Sequence, residues 1–497
     1  MTGQRFTILC LGALLAIPLR AVAADDQPTR EEIQQMMQLI REQAQSIKDL
    51  KARVQQLEGQ RAPAPGAQAE TKKAAPAPVA AAPAPPPTGE APSPAENAEA
   101  KYYGKKNPVA DRGNLDDRQE AAALPGDYVR DPAFRGYIPI PQTVFMVKFN
   151  PKPRLDMMFT TRNPGDSKFR FAPAILALGS TPGSSGEQFD ATANGSQLRV
   201  DMRAPSLPGN FRLYYQNDFF GSDTSQMKYR LQHFFGQYHG VVGGFTYGVF
   251  EDPDSWPDTV DYEGPNALIF ARRPLIHYIH ELAPDWAVTV GLEEPGLAVD
   301  TTGDANASTQ QKAPDGGFNV RWTPGDLGHM QFSAIMRALG VRGAKSNGDT
   351  AIGWGVNLGG GFNVTNSDLL QFLGVYGQGI GGLGNDAGFA NTDAALDRNG
   401  NIQALTYVSA MGAYTHNWTP RWRSTGTFGW VHLDNTSMQP GTAYHMTRYG
   451  SLNVVYQLYK RLSIGLEGLY GFREVHNGDD TKDVARVNLG MVYSPFD

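Results

Sequence analysis

The chain has 497 residues, 19% of them charged and 41% hydrophobic, with a formal net charge of −6. No internal run approaches ~18 apolar residues, which excludes a helical membrane bundle. The acidic balance argues against a nucleic-acid binder, whose binding domain would be strongly basic. Cys10 is the one cysteine, so a disulfide scaffold and a multi-cysteine zinc site are both excluded.

The N-terminus has the three parts of a secretory signal peptide. Arg5 supplies the positive start, the apolar run covers residues 6–19, and Ala21-Val22-Ala23 is the cleavage site, giving residues 1–23 as the signal. Leu9 precedes Cys10 where a lipoprotein signal needs a small residue, so export without a lipid anchor is expected. The mature chain then carries no cysteine.

Residues 24–61 form the second segment. Ile33, Ile40, Ile47 and Val54 recur at a positions, with Met36, Gln43, Leu50 and Leu57 at d. Such a heptad predicts a coiled coil, and Thr29 with Glu32 is a capping box at its start. β-Branched a with Leu at d leans towards two strands, and Gln43 is a polar layer that specifies register; the pattern leaves two strands or three open. Residues 62–100 are rich in Ala and Pro and read as an extended spacer. Residues 101–142 are polar and punctuated by Pro and Gly, either a lead-in on the same side or a segment inserted into the region that begins at Thr143.

From Thr143 to the end the pattern has period two. Leu198, Val200 and Met202 alternate with Arg199, Asp201 and Arg203; Val487, Leu489, Met491 and Tyr493 alternate with Arg486, Asn488 and Gly490. Aromatics gather at the ends of these stretches. An apolar outward face with a polar inward face is the pattern of a transmembrane barrel. Tight and long links interleave through the region, fifteen joining about sixteen antiparallel strands, at roughly 22 residues per strand and link. The expected fold is therefore an all-β transmembrane barrel over residues 143–497 with an N-terminal α-helical coiled coil. An even strand number returns both barrel ends to the periplasmic side. Phe496 is penultimate and out of phase with Tyr493, a departure from the usual terminal aromatic.

The same phase turns Arg199, Arg203, Arg212, Lys228, Arg230, Arg273 and His277 inward, from the second, third, fourth and sixth strands, as a basic wall. The third long link holds six acids, Glu251, Asp252, Asp254, Asp258, Asp261 and Glu263, and three prolines. Folded inward, it would face that wall as a constriction loop with a transverse field. The alternative is that these acids are solvated surface or structural partners of the arginines.

The stretches FRLYYQNDFFG, RLQHFFGQYHGVVGGFTYGVF and EDPDSWPDTVDYEGP resemble those of the DcaP-like trimeric outer-membrane porins, as does the order of signal, coil, spacer and barrel. The resemblance implies a sixteen-stranded trimeric channel for small anionic solutes, dicarboxylates included, and a three-stranded coil.

Other motifs carry less. Gly379-Ile380-Gly381-Gly382-Leu383-Gly384 fits a dinucleotide fingerprint, but no helix pattern follows it. His277 and His280 lie on opposite faces of a strand and cannot share a metal. No Ser/His/acid set is selected by spacing. The expectation is a porin of a Gram-negative outer membrane, its N-terminal segment in the periplasm, its partners being membrane lipid, copies of itself and small anions. It needs no catalytic residue, metal, cofactor or nucleic acid. The competing reading is a structural protein whose barrel anchors a periplasmic arm that engages the cell wall; a barrel enzyme comes third.

Overall fold

Alternation of apolar and polar side chains sets the architecture, because successive strand residues face opposite sides of a sheet. The computed structural model describes residues 136–494, except 168, 182, 184, 208, 210, 222–226, 303, 305, 344–349, 460 and 479. All belong to the compact unit Thr88–Asp497. The expected signal peptide, the coiled-coil positions from Ile33 to Leu57, and the spacer lie outside the described residues.

Mostly antiparallel sheet makes up the unit. Twenty-three strand segments are present, twenty of them in one sheet. Setting aside the two-residue piece Ile138–Pro139 and joining three pairs of collinear segments leaves sixteen strands. They are β1 (Met146–Lys152 with Arg154–Thr160), β2 (Gln188–Thr192 with Gln197–Ala204), β3 (Phe211–Asp218), β4 (Arg230–Tyr238), β5 (Val241–Tyr247), β6 (Arg272–Ala283), β7 (Trp286–Glu293) and β8 (Ser308–Gln311 with Asp315–Trp322). The second half comprises β9 (Gly328–Arg342), β10 (Thr350–Thr365), β11 (Asp368–Gln378), β12 (Thr406–Asn417), β13 (Trp422–Leu433), β14 (Tyr444–Tyr459), β15 (Leu462–Val475) and β16 (Thr481–Tyr493).

Each strand pairs with the next, from Asn150↔Arg199 between β1 and β2 to Glu467↔Asn488 between β15 and β16. β16 also pairs with β1, from Arg486↔Thr160 to Val492↔Arg154. The ladder thus returns to its first strand. Links of two to six residues (205–210, 239–240, 284–285, 323–327, 366–367, 418–421, 460–461) alternate along the chain with longer ones, as expected from the sequence, except that the last link of the second set, 476–480, has only five residues. The longest are 161–187, 248–271 and 379–405.

Polarity across this sheet is inverted relative to a water-soluble protein. Leu452 on β14 is 68% exposed, while Asn453 beside it is 3% exposed. The same contrast holds for Leu466 against Glu467 and for Leu489 against Asn488. Exposed aromatics mark the short-link rim: Trp286, Trp418, Trp422, Tyr459 and Tyr493. Trp354 and Tyr376, 5.8 Å apart, stand near the other rim.

The apolar core lies on the concave side, between the long links and the strands. Phe250, Trp256, Leu268 and Ile269 from one link and Ile380 and Leu383 from another pack on Leu373, Val375, Met411, Val431 and Leu433 of the sheet. A small sheet joins two links at that end: Val299–Asp300, Ala394–Leu396 and Ile402–Ala404.

The two-residue link between β4 and β5 needs left-handed backbone at both positions, with φ of 49° at His239 and 78° at Gly240. This is the hairpin geometry that matches strand twist. A Cβ on Gly240 would stand 2.5 Å from the carbonyl oxygen of Ile279. Gly240→Ala is expected to cost about 1–2 kcal/mol in urea unfolding from lipid vesicles. Gly236→Ala, where a Cβ meets nothing within 4 Å, should leave the unfolding midpoint in place.

Candidate functional site

The link between β5 and β6, residues 248–271, turns into the concave side and is held there along its whole length. Its backbone is bonded by wall side chains in succession. Asn319 donates to Val249 O at 2.9 Å, Asn357 to Phe250 O at 2.8 Å and Gln331 to Glu251 O at 2.8 Å. Further along, Asn453 donates to Asp258 O at 2.7 Å, Arg154 donates to Val260 O, and Ser409 donates to Ala267 O at 3.0 Å. These donors come from β1, β8, β9, β10, β12 and β14, so the sheet curls around the link. A link folded away from water must find partners for its polar backbone, and a polar inward face supplies them.

Space for the link comes from glycine. A Cβ on Gly465 would come within 2.5 Å of Val260, one on Gly490 within 2.7 Å of the same side chain, and one on Gly355 within 2.7 Å of Ile380. The high glycine content is explained in part by these inward positions, where any side chain would push a link off the wall.

The acids of the link are matched by cations of the wall and of the link 161–187. Asp252 accepts from Arg321 at 3.2 Å and lies 2.9 Å from His329 Nε2. Asp254 bonds Arg321 at 2.5 Å, Asp258 pairs with Arg423, and Glu263 pairs with Arg170 at 3.3 Å. Burial opposes ionisation of Asp252, but His329 and Arg321 outweigh it and hold the carboxyl below its usual range. Asp261 and Glu251 go the other way. Burial first, then the charge of Glu467, pushes Asp261 up to about 8. Burial first, then Glu293, pushes Glu251 up to about 8.

Of the residues expected as a basic wall, Arg199, Arg203, Arg212 and Arg273 are buried and Arg230 is half-buried, each with a polar partner of its own. Arg203 and Arg212 share Asp201 at 2.8 and 2.9 Å. Arg199 donates to Gln197 at 3.0 Å, Arg230 to Asp218 at 2.9 Å, and Arg273 to Asp315 at 2.9 Å. His277 stands half-buried on the same face. Lys228 departs from the expectation: it is exposed and precedes β4, because β4 begins two residues later and the phase argument does not reach it. Facing between loop and wall is partial. Glu251 feels Arg273 and Glu263 feels Arg230 through space, but the direct partners of the acids are Arg321, His329, Arg423 and Arg170. Tyr262 carries the loop to the basic wall itself. Its hydroxyl donates to Asp218 at 2.8 Å and accepts from Gln232 at 2.8 Å, and its ring lies 5.0 Å from the guanidinium of Arg154.

Sequence reasoning assigns no site role to Arg154, Arg321, His329, Arg423, Glu467 or Arg486, although it places Arg486 on the polar face. All are inward residues of strands, and the period-two reading reaches the rest of them when it is applied to β1 and to the strands after the sixth.

Between the loop and the wall lies a cleft of about 40 Å³, lined by Arg154, Arg230, Asp261, Tyr262 and Glu263 among others. That is room for about one water, so a larger solute entering here must move side chains or the loop. Phe220 stacks on Tyr262 at 5.0 Å, and both Arg170 and Arg230 lie 5.6 Å from its ring. Among the described residues, Asp252, Asp254 and His329 have ligand atoms within 4.8 Å of one another. Arg321 bonds both carboxylates there, and its charge at the site disfavours a metal cation.

Sheet and inward links define the class of fold: a mostly antiparallel sheet whose ladder returns to its first strand around inward-folded links. The chain is similar to the outer membrane channel DcaP of Acinetobacter baumannii, with 19% identity over 70% of this chain and 97% of that one and a TM-score of 0.61. This bears out, for the fold, the resemblance read from the sequence. Looser alignments reach the outer-membrane expressed OmpT of Vibrio cholerae (12% identity, 71% of this chain and 99% of that one, TM-score 0.44) and Salmonella typhi OmpF complexed with daunomycin (10%, 70% and 98%, 0.44). No protein-family model matches the chain, and no curated protein does.

Removing one member of a buried ion pair strands the other. Asp258→Ala and Arg423→Ala should each lower the unfolding free energy by about 3–5 kcal/mol, and the double variant should lose clearly less than the sum. Urea unfolding of the four proteins, read as a double-mutant cycle, checks this.

Proposed function

We propose that the chain is an outer-membrane porin, a closed sixteen-stranded transmembrane barrel through which small anionic solutes, dicarboxylates among them, diffuse passively. The observation that carries the reading is the inverted polarity of a ladder that returns to its first strand. An apolar band with aromatic rims suits lipid, and a polar inner face suits an aqueous path. A soluble protein would leave Leu452, Phe428 and Ile352 in water, where they are more than half exposed.

The cleft supports the anion preference. Arg154 and Arg230 line it, and Arg170 pairs with Glu263 at its edge. Guanidinium groups bind carboxylates by two parallel hydrogen bonds. Several of them near one narrow point suit a solute with two carboxylates, while binding shared among weak sites allows release. The acidic link is the constriction loop of this reading. The working form is a homotrimer in a Gram-negative outer membrane, with the barrel from residue 143, the coiled coil and spacer in the periplasm, and no cofactor.

Purified protein reconstituted in a planar bilayer under a KCl gradient is expected to conduct, with a reversal potential favouring chloride. Cation preference would overturn the anion reading, and no conductance from folded protein would overturn the channel. The lipid-facing assignment has its own check. Leu452 lies midway along β14, so Leu452→Arg should destabilise the protein in lipid by about 2–4 kcal/mol. A soluble protein would gain or stay unchanged from the same substitution in unfolding measurements.

A further inference from the structure

We propose that the inward loop is a proton-operated constriction. At each end of its acidic stretch a wall carboxyl and a loop carboxyl crowd together in a buried place, and loss of the proton they hold frees that end of the loop. This rests on reading residues 248–271 as the constriction of a channel.

At the first end, Glu293 of β7 accepts a hydrogen bond from the backbone of Val249 at 2.7 Å. Glu251, two residues on, is buried, and its Oε2 has no hydrogen-bond partner. The charged groups facing them are Arg273 of β6, Asp315 of β8 and Arg337 of β9. Both arginines are engaged elsewhere. Arg273 bonds Asp315 at 2.9 Å, and Arg337 bonds Asp315 and Asp393, each at 2.8 Å. Four carboxyls, Glu251, Glu293, Asp315 and Asp393, therefore meet two guanidiniums. Burying the unmatched charge costs several kcal/mol per ion, and keeping a proton avoids it.

At the second end, Glu467 of β15 accepts from the backbone of Asp261 at 2.5 Å. The Asp261 carboxyl accepts from the backbone of Phe171 at 3.2 Å and of Gly264 at 3.0 Å. The groups facing this pair are Arg486 of β16, Tyr449 of β14, Arg154 of β1 and Glu263 of the loop. Arg154 is held by Asp156 at 2.7 and 2.9 Å, and Glu263 by Arg170 at 3.3 Å. Asp261 also lines the cleft, so release of this end changes the cleft directly.

The sign follows from the raised values of Glu251 and Asp261, each about 8. The packed loop keeps protons that a released loop would shed, so packing weakens as pH rises from the ordinary carboxyl range to that value, levels off above it, and recovers on the way down. The middle of the loop behaves differently. Asp252, held below its usual range by His329 and Arg321, stays ionised through this range, and Asp258 is paired with Arg423. The loop therefore loosens at its ends while its centre stays pinned.

Two readouts test this on the full chain. The first is thiol labelling of Thr259→Cys, a buried loop position, with Cys10, the one native cysteine, replaced by Ser. After correction for the thiolate fraction of free cysteine, the rate should rise about a hundred-fold from about pH 6 to about pH 9, about ten-fold per unit up to the raised value and little beyond it. The second is conductance over the same range, expected to rise with the labelling. Glu467→Gln keeps an acceptor for the Asp261 backbone and removes the second charge, and it should flatten both profiles; Glu293→Gln should do the same for the other end. Labelling that does not rise with pH, or rises equally in Glu467→Gln, overturns the proposal. A protein that conducts with no pH dependence overturns it and leaves the porin reading standing. Absence of conductance at both values counts against the porin reading, and the labelling still decides the loop.

Discussion

An apolar outer face forces polar and charged side chains onto the inner one, and charge crowded into a confined space has to be neutralised from within. Most of the structure answers to this constraint. Arg203, Arg212, Arg337, Arg423 and Arg486 are each at most 3% exposed. The sheet supplies part of the counter-charge itself, with Asp156, Asp201 and Asp315 on the same faces as the arginines they bind. The remainder arrives from links: Asp252 and Asp258 from one, Asp393 from another. On this view the acidic character of the link after β5 is set by the wall it lies against. A neutral link would leave Arg423 buried with less compensation than its burial demands.

The same constraint explains how links can fold inward at all. In a water-filled barrel of smooth wall, an inward loop would trade hydration for nothing. Here the wall offers amide side chains at the height of the loop backbone, and glycines where the loop approaches closely. Gly465 and Gly490, on neighbouring strands, both leave room for Val260. The loop in turn supplies Phe250, Trp256 and Ile269 to an apolar cluster with the upper wall. Each fully buried side chain of this kind contributes about 1.5–3 kcal/mol, so loop position is fixed by packing as well as by charge.

Strands and links were legible because each leaves a local signature. Period-two alternation located the strands from Leu198 to Tyr493, and the alternation of short and long links gave their number. Phase alone also placed Arg199, Arg203, Arg212, Arg230, Arg273 and His277 on the inner face. Pairing was not legible, because it joins residues far apart in sequence. Arg423 meets Asp258 across 165 positions, and no local pattern marks that meeting. One part was readable in hindsight. Arg154 with Asp156, and Asp201 with Arg203, are two apart on a strand and so share a face, which announces that the wall is partly self-neutralised. Lys228 failed because phase has meaning only inside a strand.

Burial separates the cations that hold the fold from those that can meet a solute. Arg212 is bonded twice to Asp201 and its side chain is fully buried, whereas the Arg230 side chain is 26% exposed and that of Arg321 14%. A fully buried guanidinium with its donors spent on a carboxylate can attract an anion only through the field. Arg230 still presents surface beside Tyr262 and Phe220, where an anion can approach. Displacing Asp218 from Arg230 would strand a fully buried carboxylate, at a cost of several kcal/mol. On the porin reading a solute carboxylate therefore adds at the exposed edge of Arg230 and leaves that pair intact, an attraction with no deep minimum from which to escape.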